Sequence, residues 1–233
     1  MKKFLRVTAI VFLVLIVAIF AFYMVKNEKL PEVEVSPQAD MLAAEMLDAM
    51  NQVAWDSTEV VKWTFRGEHH YEWNRKTKQV SLKWDDITAI FNHETREGIV
   101  TREGSPIPDA DQEPMLKTAW DFFNNDSFWL AAPYKVFDPG TMRSIVTCAD
   151  GREGLMVTYT SGGTTPGDSY VWILGDDKRP VACKMWVSII PIGGMEFSWE
   201  NYMTLPSGAL VAQDHLMDIT GMNVAVTGLE EVD

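Results

Sequence analysis

His69 and His70 stand side by side within GEHHYEW, with His93 and His215 far off along the chain. Imidazole is a common zinc ligand, so an adjacent pair raises the question of a metal site. The surrounding residues alternate, however. From Val61 to Trp73 the odd positions read Val, Trp, Phe, Gly, His, Tyr, Trp and the even ones Lys, Thr, Arg, Glu, His, Glu. On a strand this sends His69 to the aromatic face and His70 outward between Glu68 and Glu72, so one ion cannot take both. Neither HExxH nor a cysteine-pair zinc spacing occurs. A hydrogen-bonded core His69 and a solvated His70 are expected, with no metal site.

Other reactive groups are equally unpromising. No G-x-S-x-G is present, and Ser161-Gly-Gly falls in a hairpin loop, a poor setting for a nucleophile. Glu196 and Glu200 would share a strand face about 13 Å apart, too far for two carboxylates acting on one glycosidic bond. Asp168 in TPGDS reads as a turn cap, and Lys135 with Asp138 as a local ion pair. No glycine-rich loop opens a helix to cradle phosphate, and no cofactor is implied. No catalytic motif emerges.

The elements that would position these residues change period along the chain. Leu42, Met46, Ala49, Met50 and Val53 follow i, i+4, i+7, i+8, i+11 spacing, an amphipathic helix. Val61 to Trp73 reads as one long antiparallel strand, and Val80, Leu82 and Trp84 as its return. Ile87 to Phe91 and Gly98 to Arg102 form a second hairpin. Met115, Ala119, Phe122 and Phe123 then resume helical spacing. From Ser144 onward strand-like segments alternate with ADGREG, SGGTTPGD, GDDKRP, PIGG and LPSG turns, ending in a short strand over Asn223 to Thr227. About ten strands are too many to stay flat. The fold class expected is α+β, mainly β: one curled antiparallel sheet, an unclosed half-barrel, with two covering helices in its concave side and its convex side wet. Cys148 and Cys183 fall on strands three connections apart, about 14 Å, beyond disulfide reach, so free core thiols are expected.

Charge and hydropathy bound the partners. The chain of 233 residues carries 33 acidic against 20 basic groups, a net −13. Four of the basic groups lie in residues 1–26, which hold no acid, so the rest is more acidic still. Such a surface repels phosphate backbones, and nucleic acid is excluded as a partner. Phe4 to Val25 is interrupted only by Arg6 and Thr8 and would span roughly 33 Å as a helix. Cleaved signal peptides have shorter apolar regions and small-x-small exits. Residues 1–26 therefore read as an uncleaved transmembrane anchor. Lys2, Lys3 and Arg6 would hold the N-terminus in the cytoplasm, leaving the domain periplasmic or extracellular. Residues 27–38, charged and with two prolines, read as a linker, and 39–233 as the domain.

The stretch NDSFWLAAPYKVFDPG, followed by TTPGDSY, resembles a group of exported bacterial proteins sharing N-D-[ST]-aromatic-W-L-x-x-P-aromatic-K-x-x-D-P-G and T-P-G-D-x-Y. The positions that match are Asn125, Asp126, Trp129, Leu130, Pro133, Lys135, Asp138, Pro139 and Gly140, then Pro166, Gly167, Asp168 and Tyr170. The order of helix, strands, helix and meander is similar to the outer-membrane lipoprotein carrier (LolA/LolB-like) superfamily, an unclosed β-barrel covered by helices. This chain departs from the usual pattern by lacking a lipobox cysteine. The resemblance implies a fold and a compartment, not a reaction. On it, Phe128, Trp129 and Leu130 would leave the helix and cover the open edge of the sheet, with Trp129 plugging the interior.

The function these readings favour is non-enzymatic binding of a lipid or other apolar ligand inside the half-barrel. The expected lining is Trp63, Phe65, Tyr71, Trp73, Trp84 and Trp129, with Met46 and Met50 from the first domain helix. The rival is a structural or protein-interaction domain of the cell envelope with a filled core.

Overall fold

The computed structural model describes residues 2–33, 37–161 and 166–232. Helix α1 is Lys2–Lys26. Among the described residues no helix is long and apolar enough to cross a membrane. Over the segment read as an anchor the structure gives this one helix.

Helix α2 (Pro37–Ala49) begins inside the segment read as a linker. It buries Ala39, Ala43, Met46 and Leu47, a stripe rotated from the expected one, while Val53 faces solvent. The reason lies at Asn51. Its backbone is left-handed (φ 58°), a conformation asparagine tolerates, and this ends the first helical run before α3 (Gln52–Ser57). The Asn51 side-chain amide then donates to the Gly208 carbonyl at 3.0 Å.

The long strand expected over Val61 to Trp73 is a hairpin. Strand β1 (Val60–Phe65) turns at Arg66 (φ 51°) and Gly67 (φ 75°) into β2 (His69–Asn74). Strands β3 (Gln79–Trp84), β4 (Ile87–Asn92), β5 (Gly98–Arg102) and β6 (Ser105–Pro106) continue the meander. Helix α4 (Asp109–Ala131) and a 3-10 turn (Ala132–Lys135) precede the second half. That half comprises β7 (Thr141–Thr147), β8 (Glu153–Tyr159), β9 (Ser169–Leu174), β10 (Pro180–Trp186), β11 (Met195–Ser198), β12 (Glu200–Thr204), β13 (Leu210–Asp214) and β14 (Val226–Val232).

The fold is α+β, mainly β, with curled, unclosed antiparallel sheets. In place of one sheet there are three among the described residues: a seven-stranded sheet in the order β14-β1-β2-β3-β4-β5-β6, a five-stranded sheet β11-β10-β9-β8-β7, and the β12-β13 hairpin. The break falls at Trp199 and Asn201, the latter with φ 53°. Before it, Phe197 pairs with Cys183; after it, Tyr202 pairs with Ala212. Backbone twist at a left-handed residue re-aims the strand, so one continuous ladder cannot form there. An isolated bridge between Phe197 and Met217 keeps the pieces adjacent.

Helix α4 packs on β4, β5 and β13. Phe123 meets Trp73 (5.2 Å between ring centroids), His93 (5.2 Å), Tyr71 (6.1 Å), Phe91 (6.3 Å) and Trp63 (6.4 Å). Phe128, Trp129 and Leu130 do not leave the helix; with Ala131 they are its last turn. The convex side of the five-stranded sheet is not wet either. Val146, Cys148, Met156, Val171, Ile173 and Ala182 form a second buried cluster, with Trp186 against it. The second face of a strand can be buried only where something lies over it, and the segment after α1 does so in part. Cys148 and Cys183 are free and buried, Cys183 belonging to the main core and Cys148 to this outer cluster.

Phe123 is buried and meets rings from β1, β2 and β4, which makes Phe123→Ala a cavity mutation. We expect it to lower the unfolding free energy by about 3–5 kcal/mol, measured by denaturant titration.

Candidate cleft between helix α4 and the five-stranded sheet

The residues expected to line a cavity instead fill the interior. Met46, Met50, Trp63, Phe65, Tyr71, Trp73, Trp84 and Trp129 are all buried, and their rings pack on one another. Trp63 stacks on Tyr71 at 4.5 Å, Trp73 meets Trp63 edge-on at 6.3 Å, and Trp84 meets Phe122 at 5.8 Å. Of the eight, Trp129 also lines an open cleft.

That cleft, about 420 Å3, runs between the second half of α4 and the end of the five-stranded sheet. Lys117, Asp121, Asn124, Asn125 and Phe128 present one helical face to it, at i, i+4, i+7, i+8 and i+11. Tyr170, Met185, Val187, Ile189 and Ile190 form the opposite wall. The floor is aromatic: Phe128 lies 4.6 Å from Tyr170 and 6.3 Å from Trp172. Trp129 stacks near-parallel on Trp199 at 5.9 Å and meets Phe197 at 4.8 Å. The rim is polar, with Lys117 Nζ 2.5 Å from Asp121 Oδ2. Asp168, itself buried, accepts the Ser188 backbone N–H at 2.8 Å and so ties β9 to the loop bearing Ile189 and Ile190. Burial, then the nearby Asp168 charge, pushes the Tyr170 phenol well above its ordinary range, so it stays protonated. The cleft is thus an apolar trough with polar groups at its rim.

The two motif segments meet here. Asn125 and Trp129 from one, and Asp168 and Tyr170 from the other, all line the cleft. Gly162 to Thr165, which fall between them and include the first residues of TTPGDSY, lie outside the described residues. Phe128, Tyr170, Met185, Val187, Ile189 and Ile190 were not singled out as lining residues from the sequence. The helical spacing of 117, 121, 124 and 128 was the one signal available for the helix wall.

One turn deeper, Asp126 holds α4 against β2. Its carboxylate Oδ2 lies 2.6 Å from His69 Nδ1 and accepts the Tyr71 hydroxyl at 2.7 Å, while Asn125 donates to Oδ1 at 2.9 Å. Burial raises the Asp126 pKa, and the Asn125, His69 and Tyr71 hydrogen bonds oppose that rise. A carboxylate orienting an imidazole is half of a nucleophilic relay. Here the ring is sandwiched against Phe122 at 4.4 Å and the same carboxylate oxygen is shared with Tyr71. The cluster acts as a tie between helix and strand. His70 points outward, 3.0 Å from Thr64 Oγ1. Among the described residues no three His, Cys, Asp or Glu side chains are placed to hold a metal. Glu196 and Glu200 fall on separate strands, β11 and β12, and Lys135 pairs with Asp138 at 3.9 Å. Ser161 packs against Gly140, where an added Cβ would sit 2.2 Å from the hydroxyl.

No family model matches the chain, and no curated protein matches it. Similar solved structures include a LolA superfamily protein from Nitrosomonas europaea (TM-score 0.37, 8% identity, covering 81% of this chain and 94% of that one) and a DUF1329 family protein from Desulfovibrio piger (TM-score 0.37, 11% identity, covering 82% and 92%).

His215 closes the inner end of this region. It is fully buried, 4.0 Å from Trp199 and 5.4 Å from Trp129, and both ring nitrogens lack a hydrogen-bond partner among the described residues. Burial pushes its pKa down to about 4, outweighing the weak pull of nearby backbone at Ser198 and Trp129. Between pH 6.5 and 4 the unfolded chain takes up a proton that the folded chain refuses, so stability falls with pH in that window. This group contributes on the order of 3 kcal/mol of loss by pH 4. Denaturant unfolding of His215→Phe across that window is expected to show a correspondingly flatter pH dependence than the parent chain.

Proposed function

We propose that this chain binds an apolar or acyl-bearing ligand in the cleft between α4 and the five-stranded sheet, on a domain tethered by residues 1–26 at the outer side of a membrane. The observation that carries this reading is the convergence of both motif segments on one apolar trough, at Asn125, Trp129, Asp168 and Tyr170. The mechanism is desolvation. Covering about 300 Å2 of ligand is worth roughly 7 kcal/mol before the entropy of association is subtracted. Support for the tether is the Phe4 to Val25 run with its flanking Lys2, Lys3 and Arg6.

A second reading has its own observation. The rings proposed from sequence as a ligand lining pack into a filled core, which suits a structural or protein-interaction domain.

Native mass spectrometry of the gently purified full chain, with lipid extraction, separates the two. A co-purifying apolar ligand is expected, and Val187→Asp should reduce its retention by tenfold or more, on the order of the cost of placing a charge in the trough, with unfolding midpoint unchanged. Absence of any ligand, or equal retention in the variant, removes the cleft as the binding site. Alkaline carbonate washing is expected to leave the chain in the membrane fraction, and to release a chain lacking 1–26.

A further inference from the structure

The segment after α1 does not hang free. Asn27 N–H donates to the Tyr23 carbonyl at 2.8 Å, continuing the helix, and Asn27 Oδ1 accepts from the Gly193 N–H at 2.8 Å. Glu28 N–H donates to the Gly193 carbonyl at 2.9 Å, and the Glu28 carbonyl accepts from Trp186 Nε1 at 3.0 Å. The Glu28 carboxylate lies 2.9 Å from Lys184 Nζ, on a side chain only 3% exposed. Lys184 also meets Asp150 at 2.9 Å and Glu196 at 3.9 Å, and Arg152 pairs with both acids. Burial works against charge on Lys184, but its hydrogen bonds to Asp150 and Glu28 prevail and hold its pKa above the ordinary value. A buried ammonium needs such partners, and Glu28 is one of them. The fit is close: an added Cβ at Gly194 would sit 2.7 Å from the Glu28 Cβ.

The loop that grips Glu28 is the loop that forms the cleft mouth. Residues 187–194 read VSIIPIGG and carry no charge in a strongly acidic protein. Gly193 and Gly194 hold the exit of α1, while Val187, Ile189 and Ile190 line the cleft a few residues earlier. Ile189 is 71% exposed, and Pro191 beside it is exposed too. Uncharged, exposed apolar side chains next to a helix exit suit the interface of a bilayer.

We propose that loop 187–194 rests on the lipid surface beside α1, so that the cleft opens toward the bilayer and takes its apolar ligand from the outer leaflet. This rests on the tethered reading above. The Glu28 clamp fixes the orientation, because the two residues after α1 hydrogen-bond Gly193 of the loop while Glu28 also holds Trp186 and Lys184 on β10 just before it.

The full chain, reconstituted in phosphatidylcholine vesicles carrying a shallow spin-labelled lipid, tests it. An environment-sensitive fluorophore is attached to Ile189→Cys, the native Cys148 and Cys183 being buried, with Ile99→Cys on β5 as the distant control. The Ile189 probe is expected to emit at shorter wavelength and to be quenched by the spin-labelled lipid several-fold more than the Ile99 probe. Adding Glu28→Ala should lower that quenching while the protein still floats with the vesicles. Flotation with equal quenching at both positions overturns the loop contact and leaves the tether standing. Failure to float overturns the tether and the loop contact together. Quenching untouched by Glu28→Ala overturns the orienting role of the clamp.

Discussion

The structure depends on one buried carboxylate in the middle of one helix. Asp126 is nearly inaccessible, and burying it is costly unless its oxygens are occupied. His69, Tyr71 and Asn125 occupy them. That requirement sets both the rotation and the axial position of α4 against β2. With Asp126 in place, Phe123 one turn earlier falls among Trp63, Tyr71, Trp73 and Phe91, and Trp129 one turn later falls against Phe197 and Trp199. The helix thereby belongs to both halves of the molecule, and the cleft is the part of the second half it leaves uncovered.

A second polar tie acts on the other face of the five-stranded sheet. Lys184 projects from β10 into an apolar neighbourhood that includes Val171, Ala182 and Trp186, and acids from three separate segments converge on it: Glu28, Asp150 and Glu196. The residues after α1 are therefore part of the domain. Mechanically this matters, because α1, the 187–194 loop and the cleft wall share one short backbone path.

Periodicity revealed most strands and hid one turn. In the β1-β2 hairpin each odd-numbered residue pairs with another odd-numbered residue: Val61 with Trp73, Trp63 with Tyr71, Phe65 with His69. A three-residue connection preserves parity, so the hydrophobic alternation runs through Arg66 and Gly67 as if the strand were straight. The shift in α2 has a similar origin. A stripe of Met, Leu and Ala offers two nearly equivalent faces, and only the left-handed Asn51 and the docking of Ala39 and Ala43 select between them. The Trp129 segment was legible as an interior plug but not as helix; α4 runs on to Ala131, where the chain passes into a 3-10 turn that accepts Pro133 near its start.

By itself the sequence determined the local grammar: a mainly β chain with alternating strands, glycine-rich turns, an aromatic inward face that includes His69, and a strongly acidic charge balance. Those properties follow from residue type and near-neighbour spacing. Only the tertiary structure decided which buried rings fill the core and which line a cleft, that Asn125 and Trp129 meet Asp168 and Tyr170, and that Glu28 finds Lys184 across 156 positions. Such meetings depend on how far the sheets curl and where they break, and curvature is a sum over many small backbone twists that no short stretch of residues encodes.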